Sequence, residues 1–172
     1  IKKKWAFSYV AQPFFTQQLG VFSEKEVTTD IVNMFVEAIP YRNVLLNLNE
    51  QNPFEQGVVY PNYVLNLSGN YETLFARFST NTKRNLKKKT DLKFVIDEHI
   101  LLSDFLNLCK NQSFGGSKFC FLAEKIINAA NKNNTGQIVG VVTVEGELLA
   151  ACFLLNSSQR IIYHIAASTE RG

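Results

Sequence analysis

Two almost wholly apolar runs, QIVGVVTV at 137–144 and ELLAACFLL at 147–155, are separated only by Glu145-Gly146. Such runs are too short to be membrane spans, and a two-residue polar-Gly step between them is a hairpin signal. A third run, QRIIYHIAAS at 159–168, follows the polar turn NSSQ and extends the hairpin to a three-strand meander. Because the first two runs are apolar at nearly every position, both of their faces are expected to be buried by helices. The sequence supplies helices just upstream: a strand at 92–96, a helix capped by Ser103, and a second helix over 118–131. Strand, helix, helix and meander define an α+β, or mixed α/β, layer with a largely antiparallel sheet. With 46% of 172 residues hydrophobic, the chain can fill such a core.

The earlier residues carry weaker patterns. Residues 4–10 read as one extended, aromatic-rich segment, broken by Gln12-Pro13. Thr28, Thr29 or Asp30 is expected to cap a helix whose stripe is Ile31, Phe35 and Ile39, with Val32 beside it and Pro40 as its stop. Residues 44–48 and 63–67 read as strands joined through the turn-rich EQNPFEQG. The longest helical pattern runs from 71 to about 89. On a helical wheel it places Tyr71, Leu74, Phe75, Phe78 and Leu86 opposite Arg77, Lys83, Arg84, Lys87 and Lys88.

The formal charge of +3 is concentrated there. Residues 77–93 hold seven Lys or Arg against Asp91 alone, a net of +6, which leaves 11 bases and 14 acids elsewhere, a net of −3. That argues against a general nucleic-acid surface. It leaves one local anionic partner, or a solvated helix end, as the two readings of the basic segment. Near the helix C-terminus the macrodipole accounts for Lys87, Lys88 and Lys89, but not for Lys83 and Arg84. Cys109, Cys120 and Cys152 are odd in number, share no metal-ligand spacing and lie among apolar neighbours, so reduced core thiols in a cytoplasmic protein are expected. No apolar run reaches the length of a membrane span, and no signal peptide is visible. Since Ile1 begins within a strand-like segment, the chain is expected to be an internal fragment.

The element order, together with QPFFTQQLGVFS from Gln12, LFARFSTNTKRNLKKKTDLKFVI from Leu74 and the closing GVVTVEGELLAACFLLNSSQRIIYHIAASTERG, resembles the GNAT acyltransferase superfamily, in its two-lobed, bacterial FemAB-like form. The resemblance implies that residues 1–70 are the remainder of a first, degenerate lobe. Residues 71–90 would be a basic linking helix, and 91–172 the N-terminal part of a second lobe. In that superfamily a Gln/Arg-x-x-Gly-x-Gly/Ala loop for the donor pyrophosphate follows the last meander strand. Here only STERG follows it, so Ala167, Ser168, Arg171 and Gly172 are the candidate donor-binding residues.

What the resemblance implies chemically is transfer of an acetyl, other acyl or aminoacyl group from acyl-CoA or aminoacyl-tRNA to an amine, without a metal. The oxyanion contacts in such enzymes commonly come from backbone N–H groups of a splayed central strand, so the sequence exposes only acid and base groups. His164, in the middle of the expected central strand and facing away from Tyr163 and Ile165, is the candidate base; a hydrogen-bonded core histidine is the alternative. Tyr163 is the candidate acid for a leaving thiolate, against a packed tyrosine. Glu145 is a further candidate base, against an exposed turn acid. Asp97-Glu98-His99 reads as a solvated loop rather than a metal site. Gly115-Gly116, opening the second helix, either approaches the acceptor or simply turns the chain. Lys83, Arg84 and Lys87 are the candidate contacts to an anionic acceptor, a peptidoglycan-precursor-like or other small amine, or to tRNA. Two further classes stand beside the enzyme: a non-catalytic protein whose basic helix docks an anionic partner, and a degenerate scaffold.

Overall fold

β1 (Lys2–Lys4) pairs antiparallel with β2 (Phe7–Ala11), where the sequence predicts one extended segment over residues 4–10. The computed structural model describes residues 2–4, 7–87 and 94–171. It divides the chain into two units, Ile1–Arg77 and Phe78–Gly172.

In the first unit, α1 (Thr29–Glu37) begins where Thr28, at φ −83° and ψ 161°, offers its hydroxyl to the Ile31 N–H. Its buried side is centred on Val32, with Phe35 and Ile39 of the predicted stripe half-buried and Ile31 turned outward. Val32 is fully buried whereas Ile31 is 41% exposed. Val27 and Val32 occupy the positions just before the cap and four into the helix, where paired apolar residues staple a helix entrance, and both are buried. β3 (Val44–Leu45) runs parallel to β2, and a single bridge joins Leu19 to Leu48.

Two buried asparagines lock this region. Asn52 accepts from the Val21 N–H at 2.8 Å and donates to the Val21 carbonyl at 2.8 Å, and it also donates to the Asn49 side chain at 3.1 Å. Asn49 donates to the carbonyls of Leu19 and Val21. Replacing Asn52 by alanine strands the Val21 N–H and removes one of the two bonds to the Val21 carbonyl, which keeps its donor from Asn49. We expect a loss of about 2–3 kcal/mol, read as a lower urea midpoint at unchanged slope.

The strand predicted at 63–67 is absent among the described residues. The segment lies exposed, with Tyr63 and Val64 89% and 79% accessible. Strand propensity reflects packing on a pleated surface, and no strand pairs with this segment among the described residues.

The predicted long helix is two helices. α2 (Tyr71–Arg77) is capped by Asn70, whose side chain accepts from the Thr73 N–H and hydroxyl. α3 (Thr80–Lys87) is capped by Ser79, whose hydroxyl accepts from the Thr82 N–H at 3.1 Å. Ser79 offers the backbone a local partner in place of a continued helix, a competition the wheel pattern does not register. Residues 88 and 89 of the predicted helix lie outside the described residues.

The second unit then continues with β4 (Phe94–Asp97), α4 (Leu102–Lys110), α5 (Ser117–Lys132), β5 (Gly136–Thr143), β6 (Leu148–Asn156) and β7 (Ile161–Ser168). The strands form one sheet in the order β4-β5-β6-β7, every neighbouring pair antiparallel. Gly146, at φ +88°, closes the predicted hairpin turn between β5 and β6. Ser103 does not cap α4. The cap lies two residues earlier, where the Leu101 carbonyl accepts from the Asp104 and Phe105 N–H groups, and the Ser103 hydroxyl instead reaches the Asp104 carboxylate.

Burial corrects a second expectation. Within the second unit, among the described residues, α4 and α5 cover β5 and β6 on one face, where the sequence predicts helices on both. Ile138, Ala151, Phe153, Ile165 and Ala167 are buried against α4 and α5, while the alternate residues Val139, Val141, Ala150, Cys152 and Leu154 are half-buried. Phe105, Cys109, Ala123 and Ile127 supply the helical side of this core at 0% exposure. Together the elements make a mixed α/β chain with five helices among the described residues.

Candidate functional site

The turn between α4 and α5 is held from both sides. Gln112 N–H bonds the Cys109 carbonyl, Gly115 N–H bonds the Gln112 carbonyl, and the Cys120 thiol donates to the Gly115 carbonyl at 3.4 Å. A Cβ on Gly115 would overlap the Cys109 carbonyl oxygen, so only glycine lets the turn press onto the end of α4. Gly115 is therefore fully occupied as a turn. Gly116 is the cap residue of α5, with open space where its Cβ would lie. No side chain caps α5 and its first turn has no acid, so its N-terminal N–H groups leave a positive end there.

β7 leaves the sheet at this same end. The Ser168 carbonyl accepts from Gln112 Nε2 at 2.7 Å, and Thr169 N–H bonds the Leu149 carbonyl at 2.8 Å. Arg171 Nη1 donates to Glu147 Oε2 at 2.6 Å, with both side chains about half exposed. Three chain reversals thus meet at one edge of the layer: the α4–α5 turn, the β5–β6 hairpin carrying Glu145 and Glu147, and the exit of β7. Of the residues predicted for the donor, Ala167 is buried and offers no side-chain contact, Ser168 contributes backbone, and Arg171 faces a carboxylate. Gly172 lies outside the described residues.

His164 and Tyr163 sit further back on β7. The pairing of β6 with β7 steps from Phe153↔Ile165 to Leu154↔Tyr163, so His164 is the extra residue of a β-bulge. Regular alternation would point Tyr163 and Ile165 to one face. The bulge sends them to opposite faces instead, with Tyr163 69% exposed and Ile165 buried. The His164 ring meets the Phe153 ring edge-on, centroids 6.1 Å apart. β7 is also the last strand in the sheet order among the described residues, not a central one.

Tyr163 shares the uncovered face with Cys152. Burial first, and the neighbouring Cys152 second, push the Tyr163 phenol up from its ordinary value, and burial does the same to the Cys152 thiol. Both keep their protons at neutral pH. Cys109 is pushed up to about 11, by burial first and by Cys120 second, and is a protonated core thiol. Glu145 does not join His164. It lies in the hairpin beyond Leu148, six strand positions along β6 from the partner of Tyr163, or about 20 Å at the usual rise per residue.

The basic residues are on α3. Lys83 is half-buried, Arg84 Nη2 donates to the Asn81 carboxamide at 2.7 Å, and Lys87 ends the helix. Asp97 accepts from the His99 N–H, and Glu98 accepts from the Gln137 carboxamide. Among the described residues, no group of three or more His, Cys, Asp or Glu could hold a metal ion, and no helix is long and apolar enough to cross a membrane. The sequence reading passed over Gln112, which looks like one polar residue in a turn; only the register of β7 gives it a partner 56 residues away. No family model, curated protein or solved structure matches the chain.

Proposed function

We propose that the chain acts in acyl transfer of the GNAT type, moving an acyl or aminoacyl group from acyl-CoA or aminoacyl-tRNA to an amine. The observation that supports it most is the convergence of the β7 exit with the α4–α5 turn, after a strand, two helices and an antiparallel meander in sequence order. In this reading the donor's phosphate end lies by the β7 exit and its acyl end reaches back along β7 toward His164 and Tyr163, where the acceptor amine meets it. The amine nitrogen attacks the donor carbonyl; the new C–N bond forms as the C–S or C–O bond breaks. His164 takes the proton released by the amine, and Tyr163, which holds its phenolic proton at neutral pH, returns one to the leaving group. Backbone N–H groups on the open side of β7, beside the bulge, are suited to the oxyanion.

Arg171 is the cation best situated for a donor phosphate, and Glu147 competes for it. Calorimetric titration of the full chain with acetyl-CoA tests the reading. Glu147→Gln is expected to tighten binding about threefold at low salt, since an exposed pair of this kind contributes well under 1 kcal/mol, and Arg171→Ala to weaken it. Absence of binding to acetyl-CoA, longer acyl-CoAs and charged tRNA alike would sink the reading.

A further inference from the structure

The exit of β7 is fixed by one side chain from another element. Gln112 projects from the α4–α5 turn, donates to the Ser168 carbonyl at 2.7 Å and lies 3.5 Å from the Leu108 carbonyl at the end of α4. The turn that carries it is rigid, because Gly115 abuts Cys109 and the Cys120 thiol holds the Gly115 carbonyl. On its other side the exit is tied to the β5–β6 hairpin through Thr169 to Leu149 and Arg171 to Glu147. Those ties connect elements adjacent in the sheet. The Gln112 bond alone among these joins the exit to the helical layer.

We propose that Gln112 is a positioning residue: its carboxamide latches the end of β7 to the α4–α5 turn and sets the backbone of residues 168–171 in the conformation that receives the donor. The inference rests on the acyl-transfer reading for the identity of the donor, but the latch itself does not. A backbone held in its binding conformation loses no ordering entropy when the ligand arrives, so affinity falls when the latch is cut although Gln112 does not touch the ligand.

The test uses the full chain with Gln112→Met, which keeps length and shape but has no donor, and Gln112→Lys, which restores a donor of similar reach. Amide hydrogen exchange is followed across 149–171, and acetyl-CoA affinity is measured by calorimetry. Gln112→Met is expected to speed exchange at Thr169 and Arg171, leave exchange in α4 and α5 unchanged, and weaken acetyl-CoA binding about fivefold, the worth of one neutral hydrogen bond. Gln112→Lys is expected to recover most of both effects. Unchanged exchange at 168–171 overturns the latch. Faster exchange with unaltered acetyl-CoA affinity overturns the positioning role and leaves Gln112 as a structural tie. Wild-type protein that binds no acetyl-CoA defeats the donor assignment, and the exchange comparison still decides the latch.

Discussion

Phe153→Ala is expected to remove about 3–5 kcal/mol from the second unit, the usual cost of emptying a buried phenylalanine site, and to lower its thermal midpoint by tens of degrees. Phe153 lies at the centre of the covered sheet face at 0% exposure, paired with Ile138 on one side and Ile165 on the other. Its ring also backs the His164 imidazole. The hole it leaves cannot close easily, because every strand beside it is held by ladder bonds. Calorimetry of the full chain should therefore show the melting of this unit moved well below that of wild type. Phe153→Leu, which restores most of the volume, should recover more than half of the lost stability. A Phe153→Ala protein that melts within a few degrees of wild type would contradict the one-sided core described above.

Gly115→Ala is the second large effect. A methyl group at this position meets the Cys109 carbonyl oxygen, a backbone atom that cannot swing aside. Either the α4–α5 turn moves outward or the last turn of α4 opens. A loss of about 2 kcal/mol or more is expected, in the range of overpacking in a tight site. Because the Cys120 thiol bonds the Gly115 carbonyl, the same change should expose Cys120, so alkylation by iodoacetamide is expected to become faster in the variant than in wild type. Gly116→Ala provides the contrast. Its Cβ enters open space at a non-positive φ of −59°, and the variant should match wild type in both measurements.

The meander, its hairpin turn and the two helices before it were legible because each rests on local rules: apolar runs of strand length, a glycine in a two-residue turn, helical spacing. What the sequence did not disclose was set by partners distant along the chain. Residues 63–67 have strand composition but no pairing edge among the described residues, so composition misleads there. The continuous helix expected from 71 divides because Ser79 captures the Thr82 N–H, a choice that apolar spacing cannot register. Two-sided burial of β5 and β6 was inferred from their lack of alternation, yet small and β-branched residues such as Val139 and Ala150 also tolerate a half-open face. At the candidate site, His164 and Tyr163 were legible as residues but not in their orientation, since one inserted position in β7 reverses what alternation predicts. Gln112 carried no signal at all, because its role exists only when β7 has found its register.

The bulge at His164 sets what could pair with the side of β7 that has no strand partner among the described residues. A last strand that is flat and regular presents an unbroken row of amides to any passing chain, and Ile161 and Ile162, 55% and 40% exposed, would add an apolar welcome. The extra residue throws that row out of step after two or three positions, so a visiting strand that matches residues 161–163 cannot also match 165–168. Deleting His164 would remove the mismatch and restore a regular row of amides along β7.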